Sequence, residues 1–360
     1  MAKNILELCL SPNLGGLELF LYHCYRNFRQ KGSCKIVIEE GKKLDNYFES
    51  EDKFYLKRNK FFAWIPALQL ARYIDVHQID VVHFHWTRDM LTVVLAKLFS
   101  KRKPKIVQSR HMGMTRFKDD FYHRFVYKHI TMMHAITKEV VAQLQRYIPQ
   151  EVRPKIELVY LGVEPKKDVR TDDLRTKYAL EKSFVLSIVG RIQEGKDQHI
   201  VIEAIAKLKE LDLNLFIVGE SMDADYLAYL KELCHTYGVE ERVFFTGFTK
   251  EVDRYMALSD VTVLATKNEA FGLVIIESMA NKTPVIATNR GGPLEIIDDG
   301  IDGLLYDATA EDLAQKIALL YHDREKLQAL SEAAFCKVTQ KFDFQKQLEK
   351  LYNVIVKDTE

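Results

Sequence analysis

Several things that would define a membrane or disulfide-bound protein are missing from this sequence. No apolar run reaches the roughly 18 residues of a spanning helix. The opening segment MAKNILELCLSPN lacks the basic stretch, apolar core and small-residue cleavage site of a signal peptide. The five cysteines, Cys9, Cys24, Cys34, Cys234 and Cys336, are scattered, odd in number and without CxxC spacing. That argues against a disulfide framework and a cysteine–zinc site, and for a reducing compartment. Repeats and low-complexity tracts do not occur. The cytoplasm is the expected location.

What is present is ordinary for a globular chain: 29% charged residues and 47% in the hydrophobic set. A length of 360 residues is too great for one ordinary core and suits two domains. The net charge of +1 hides an asymmetry. Residues 1–165 hold 27 Lys+Arg against 17 Asp+Glu, and the remainder 25 against 34. A basic first half beside an acidic second half places any anionic partner on the first.

Short β-rich apolar runs alternate with segments of helical period. Strands are expected at 5–10, 34–40, 80–85, 105–109, 132–137 and 156–162 in the first half, and at 184–190, 213–219, 242–247, 261–266 and 284–288 in the second. Strands with few polar positions, alternating with helices, form parallel sheets covered on both faces. The pattern restarts near residue 165, where GVEPKKDVRTDDLRTKY is polar and charged. Two doubly wound, Rossmann-like α/β domains are therefore expected, at 1–165 and 166–340. A last helical segment, about 341–360, can pack back onto the first. Ligands of such sheets bind at the carboxyl ends of the strands.

Four clusters fall just after expected strands. In SPNLGGLELF, Gly15 and Gly16 open a helix, where backbone N–H groups can approach an anion. In SIVGRIQEGK, Arg191 and Lys196 flank a glycine-containing turn and suit a diphosphate. In TKNEAFGLVIIESMANK a helix starting near Gly272 leaves Glu269 in the preceding loop and puts Glu277 more than one turn inside. Glu277, among Ile275, Ile276 and Met279, is expected to be partly buried, and the vicinal hydroxyls of a ribose would partner its carboxylate. The fourth, TNRGGPLEIIDDG, adds a second glycine pair followed by Glu295.

Taken together, EAFGLVIIE, GRIQEGK, GGLE and GGPLE resemble the E-x7-E motif, the Gly-Arg…Lys phosphate loop and the two glycine clusters of the retaining glycosyltransferases of family 4. The resemblance covers nearly the whole chain and implies the two-domain GT-B fold, with the first domain on the acceptor side and the second binding a nucleotide sugar across an interdomain cleft. It implies that Arg191 and Lys196 hold the donor diphosphate, helped by Gly15, Gly16 and the backbone of Gly272 and Leu273. Glu277 would take the ribose, and Glu269, with Phe271 and Gly272, the transferred sugar. Phe248, in FTGFTK, falls where the family binds the base edge. His111, in QSRHMG, resembles the first-domain histidine close to the reacting sugar, so Glu269 and His111 are the catalytic candidates. HFH puts His83 and His85 on one strand face; with no third ligand in reach, a strand-end or acceptor-side role is favoured over a metal. KDD at 118–120 is not a DxD manganese motif, and no metal or other cofactor is expected.

The implied reaction is hexosyl transfer with retention, from a uridine diphosphate sugar by preference and guanosine diphosphate mannose next. Basic and aromatic residues interleave in FYLKRNKFFAWIP (54–66), LFSKRKPK (98–105) and TRFKDDFYHRFVYKH (115–129). That pattern suits an anionic membrane surface, hence a peripheral enzyme on the cytoplasmic face with a lipid-linked or lipopolysaccharide acceptor; no nucleic-acid-binding fold accompanies it. A nucleotide-sugar epimerase or hydrolase of the same fold and a non-catalytic partner subunit are the alternatives. A phosphorylase would need a pyridoxal lysine, for which there is no signature.

Overall fold

The computed structural model describes residues 3–48, 53–59, 62–165, 169–180 and 182–357. Lys60 and Phe61 of the basic–aromatic segment, and residues 166–168 of the expected linker, lie outside them. The chain divides into two units, 1–161 with 346–360, and 162–345.

In the first unit, strands β1 (Ile5–Cys9), β2 (Cys34–Ile38), β3 (Lys53–Tyr55), β4 (Val81–Phe84), β5 (Lys105–Arg110), β6 (Met132–Ala135) and β7 (Lys155–Leu158) make one sheet. Its order is β3-β2-β1-β4-β5-β6-β7, and every pairing is parallel. All residues of β1, β4 and β6 are buried, as strands covered by helices on both faces must be. The helices are α1 (Gly16–Arg29), α2 (Trp64–Val76), α3 (Met90–Phe99), α4 (Phe121–His129) and α5 (Lys138–Tyr147).

The second unit holds β8 (Phe184–Val189), β9 (Leu213–Val218), β10 (Val243–Gly247), β11 (Val261–Leu264), β12 (Val285–Thr288) and β13 (Leu304–Tyr306), in the order β10-β9-β8-β11-β12-β13 and again parallel. Helices α6 (Asp172–Lys177), α7 (Gln198–Ala206), α8 (Ala224–Tyr237), α9 (Val252–Leu258), α10 (Leu273–Ala280), α11 (Pro293–Ile296), α12 (Ala310–His322) and α13 (Arg324–Lys341) surround it. Both sheets reverse their winding direction at one place, between β1 and β4 and between β8 and β11. These are the switch points at which doubly wound sheets open a crevice at their carboxyl edge.

The last helix, α14 (Phe344–Val356), lies on the first unit from Lys346 onward. Its Glu349 pairs with Lys31, the Lys105 ammonium donates to the Lys357 carbonyl at 2.8 Å, and the Tyr352 and Phe28 rings are 5.4 Å apart. Strands β3 and β13 are additions to the sequence reading. Each is a three-residue edge strand, too short for a period-2 pattern to be seen.

Candidate functional site

At the switch point of the second unit, the loops after β8 and β11 bring two of the expected residues together. Lys196 Nζ lies 3.2 Å from Glu269 Oε2, across 73 residues of sequence. The β8 loop is aimed by backbone constraints. Gly190, at φ +144°, ends the strand, and a Cβ on neighbouring Gly219 would stand 2.0 Å from its carbonyl oxygen. Only glycine permits two strand ends that close. The Gln198 amide donates to the Arg191 carbonyl at 3.0 Å, and Asp197, left-handed at φ 54°, turns the chain from the short helical turn Glu194–Lys196 into α7. Arg191 itself is exposed.

The loop carrying Glu269 is held from beneath by the second glycine pair. Gly292 N–H donates to the Glu269 carbonyl at 2.9 Å. A Cβ at Gly291 would lie 2.7 Å from that same carbonyl oxygen, and one at Gly292 would lie 2.3 Å from the Phe271 oxygen. The RGGPLE segment therefore serves as a seat for the Glu269 loop. Phe271 is buried against the Phe342 ring, 6.0 Å between centroids, so any contact it makes with a ligand comes from its backbone. Gly272 is the N-cap of α10 at φ +100°, and Leu273 is its first helical residue. The start of α10 leaves backbone N–H groups unbonded within the helix and directed at the loop, as at any helix N-terminus.

Glu277 is half-buried in the second turn of α10, between the buried pairs Ile275–Ile276 and Ser278–Met279. The helix ends where Asn281 donates its side-chain amide to the Glu277 carbonyl at 2.9 Å. Phe248, directly after β10, is 66% exposed, so its ring is available to stack.

In the first unit, Gly15 is the N-cap and Gly16 the first residue of α1, and Glu18 is buried in the helix's first turn. Beside them the structure shows a polar cluster not foreseen as a unit. His83 Nδ1 lies 2.8 Å from Glu7 Oε1, and His85 Nε2 lies 2.7 Å from Glu7 Oε2. Beyond them, His83 Nε2 and Ser109 Oγ are 2.7 Å apart, as are Ser109 Oγ and His134 Nδ1, and His134 Nε2 and the Val159 carbonyl. Parallel pairing sets these groups side by side: Glu7 is opposite His83, and Ser109 opposite His134. His111, half-buried just past β5, joins at 3.3 Å through its Nε2 to His85 Nδ1, and Phe20 of α1 packs edge-on against the His85 and His111 rings. Burial lowers the basicity of His83 to about 3 and of His85 and His134 to about 4. His111 is pushed well below the usual imidazole range by burial and its histidine neighbours, and the Glu7 carboxyl is raised by burial.

The third partner absent from the HFH reading is thus Glu7. Among the described residues, Glu7, His83 and His85 gather ligand atoms within 4.8 Å. Two ligands of one tetrahedral zinc, each at about 2.0–2.1 Å, stand about 3.3 Å apart. The 2.7 and 2.8 Å contacts to Glu7 are hydrogen-bond lengths instead. A lone glutamate inside the otherwise apolar ILELC strand was the available signal, because an unpartnered buried carboxylate is costly.

Residues 14–167 match Glycosyltransferase Family 4, and residues 170–336 match Glycosyl transferases group 1. N-acetyl-alpha-D-glucosaminyl L-malate synthase of Bacillus anthracis is 25% identical over 307 residues, 81% of this chain and 79% of that protein. A glycosyltransferase from Rickettsia africae ESF-5, of known structure, superposes with a TM-score of 0.89 at 24% identity over 99% of both chains. Anabaena Alr3699/HepE, solved in complex with UDP, gives 0.85 at 20% identity over 98% of this chain and 99% of its own. The fold is the GT-B fold.

Proposed function

The chain belongs to the family 4, group 1 glycosyltransferases, and from that premise we propose that it is a retaining enzyme. In this reading it moves a hexosyl group from a nucleotide diphosphate sugar to a lipid-linked, lipopolysaccharide or surface-polysaccharide acceptor. The observation that carries the reading is the meeting of Lys196 and Glu269 at the switch point of the second sheet, between a glycine turn and a helix N-terminus. A cation beside a carboxylate there suits a ligand that is anionic at one end and hydroxylated at the other, as a diphosphate sugar is.

The bond from the anomeric carbon to the diphosphate oxygen breaks as the acceptor oxygen bonds to the same face of the sugar. The leaving phosphate oxygen takes the acceptor's proton. Arg191 and Lys196, with the backbone of Gly272 and Leu273 and that of Gly15 and Gly16, neutralise the charge developing on the leaving diphosphate. Those groups supply the cationic stabilisation, so the reading assigns no metal and no other cofactor. Glu269, with the backbone of Phe271 and Gly272, holds the transferred sugar, Glu277 the ribose and Phe248 the base. His111 is given a contact with the reacting sugar. A uridine diphosphate donor is favoured, supported by the UDP bound in HepE, with guanosine diphosphate mannose next.

The lipid-linked acceptor rests on the first unit's surface. Phe62, Trp64, Phe117 and Phe121 are each more than half exposed, and Arg58 and Arg88 lie 4.9 and 5.4 Å from the Trp86 ring centre. Exposed aromatics among cations suit the interface of an anionic bilayer, and this supports the reading of a peripheral enzyme on the cytoplasmic membrane face. No helix among the described residues is long and apolar enough to cross a membrane.

The test is incubation of uridine diphosphate sugars and guanosine diphosphate mannose with polyprenyl-linked and lipopolysaccharide acceptors, with the product's anomeric configuration read by NMR. Product with the donor's configuration supports the reading. Release of nucleotide without an acceptor would favour the epimerase or hydrolase alternative, and no turnover of any donor would favour a non-catalytic subunit. Flotation with anionic liposomes tests the membrane role, and absence of binding at low salt overturns it.

A further inference from the structure

Hydrogen-bond directions in the buried cluster of the first unit can be traced from one end, because the Val159 carbonyl only accepts. His134 Nε2, 2.7 Å away, must carry the proton. A neutral His134 then turns the lone pair of Nδ1 to Ser109, so the Ser109 hydroxyl donates to it. With its only proton committed, Ser109 Oγ can accept but not donate, and His83 Nε2–H is its donor. A neutral His83 then presents a bare Nδ1 to Glu7 Oε1, and the proton between them must come from Glu7.

Glu7 Oε2 in turn accepts from His85 Nε2–H. That leaves His85 Nδ1 bare toward His111, whose Nε2 donates across 3.3 Å, the longest link. Among the described residues no hydrogen bond is made by the other nitrogen of His111, Nδ1.

We propose that Glu7, held as the neutral acid, and the chain through His83, Ser109 and His134 act as a positioning network that locks His111 in its Nε2–H tautomer, so that its Nδ1 accepts a hydrogen bond from a ligand hydroxyl. The alternative with the same number of protons, an ionised Glu7 with the cation on His83 or, with the Ser109 hydroxyl reversed, on His134, puts two charges where all three side chains are wholly buried. It must meet the desolvation cost of each ion. Reversing the His85–His111 link costs more still. Glu7 would then donate to His85, and His83 or His134 would become a buried cation with no carboxylate left to neutralise it. That the ligand is a sugar rests on the proposed function; the tautomer does not.

The experiment is a long-range 1H–15N correlation spectrum of the full-length protein, labelled in histidine, without ligand at neutral pH. His83, His85, His111 and His134 are all expected as neutral Nε2–H tautomers, with a carboxylic-acid carbonyl band in the infrared that disappears in Glu7→Gln. A His111 protonated on Nδ1, or a His83 or His134 imidazolium, overturns the proposal. Glu7→Gln is a second arm. Its amide oxygen accepts from His85 and its NH2 donates to His83, as the neutral acid does, so the four tautomers and the melting temperature should be retained. Loss of the pattern in that variant contradicts a neutral Glu7. Because no sugar is present, a failure here is distinct from a failure to transfer glycosyl groups.

Discussion

The ammonium of Lys196 and the carboxylate of Glu269 stand 3.2 Å apart, on loops that leave neighbouring strands of the second sheet. Both side chains are about one-quarter exposed, so the pair adds little to stability, about 0–1 kcal/mol. Lys196→Ala and Glu269→Ala are each expected to abolish transfer while shifting the melting temperature only slightly. Initial-rate assays with parallel thermal unfolding check this, and full activity in either variant contradicts the assignment.

Gly292 is expected to be irreplaceable for a steric reason. A Cβ there meets the Phe271 carbonyl at 2.3 Å, and relief requires the Glu269 loop to move. Gly292→Ala should cost roughly 1–3 kcal/mol, as overpacking does, and reduce transfer. Gly195→Ala is the control: among the described residues nothing beyond its chain neighbours lies within 4 Å of its would-be Cβ, so its melting temperature should match the wild type.

Acid should weaken the first unit. His83, His85, His111 and His134 remain neutral when folded, because burial lowers their basicity, whereas unfolded histidines protonate near pH 6.5. From about pH 6.5 down to about 4 the unfolded state therefore binds more protons, and stability falls. Glu7 and Asp89, both raised, oppose this by holding protons in the folded state. Four imidazoles against two carboxyls set the net direction. Both tryptophans, Trp64 and Trp86, are in the first unit. Urea unfolding followed by their fluorescence should show a lower midpoint at pH 5 than at pH 7.

Asp89 supplies the opposite sign on its own. It is fully buried, one oxygen accepts the Leu10 N–H at 2.9 Å, and the other has no partner among the described residues. Burial raises its pKa to about 7 from an ordinary value near 3.8. The folded carboxyl's contribution is complete below about pH 4 and is lost as the pH rises through 7. Asp89→Asn does not titrate, so its stability relative to wild type should grow between pH 4 and pH 8. An unchanged difference across that range would show that Asp89 is ionised when folded.

The two parallel sheets were legible because eleven strands are apolar runs bounded by polar turns, and the switch-point loops carry unusual glycines and charges. The three-residue strands β3 and β13 were not, since their length shows no period. The helix start at Gly272 followed from the pattern around it, whereas the meeting of Lys196 with Glu269 depends on a sheet order that places β8 beside β11. Glu7 was hidden by its setting. In ILELC it reads as one polar residue in a core strand, and only pairing with β4 sets it against His83.

In the proposed function the loops after β8 and β11 bind a nucleotide diphosphate sugar. A thermal-shift titration of the wild type and Lys196→Ala with uridine diphosphate sugars, guanosine diphosphate mannose and the free nucleotides tests it most directly, since a ligand bound only by the folded state raises its melting point. A concentration-dependent rise is expected for one base, differing among sugars on that base and lost in Lys196→Ala. No shift with any of them, or an equal shift in wild type and Lys196→Ala, would contradict it.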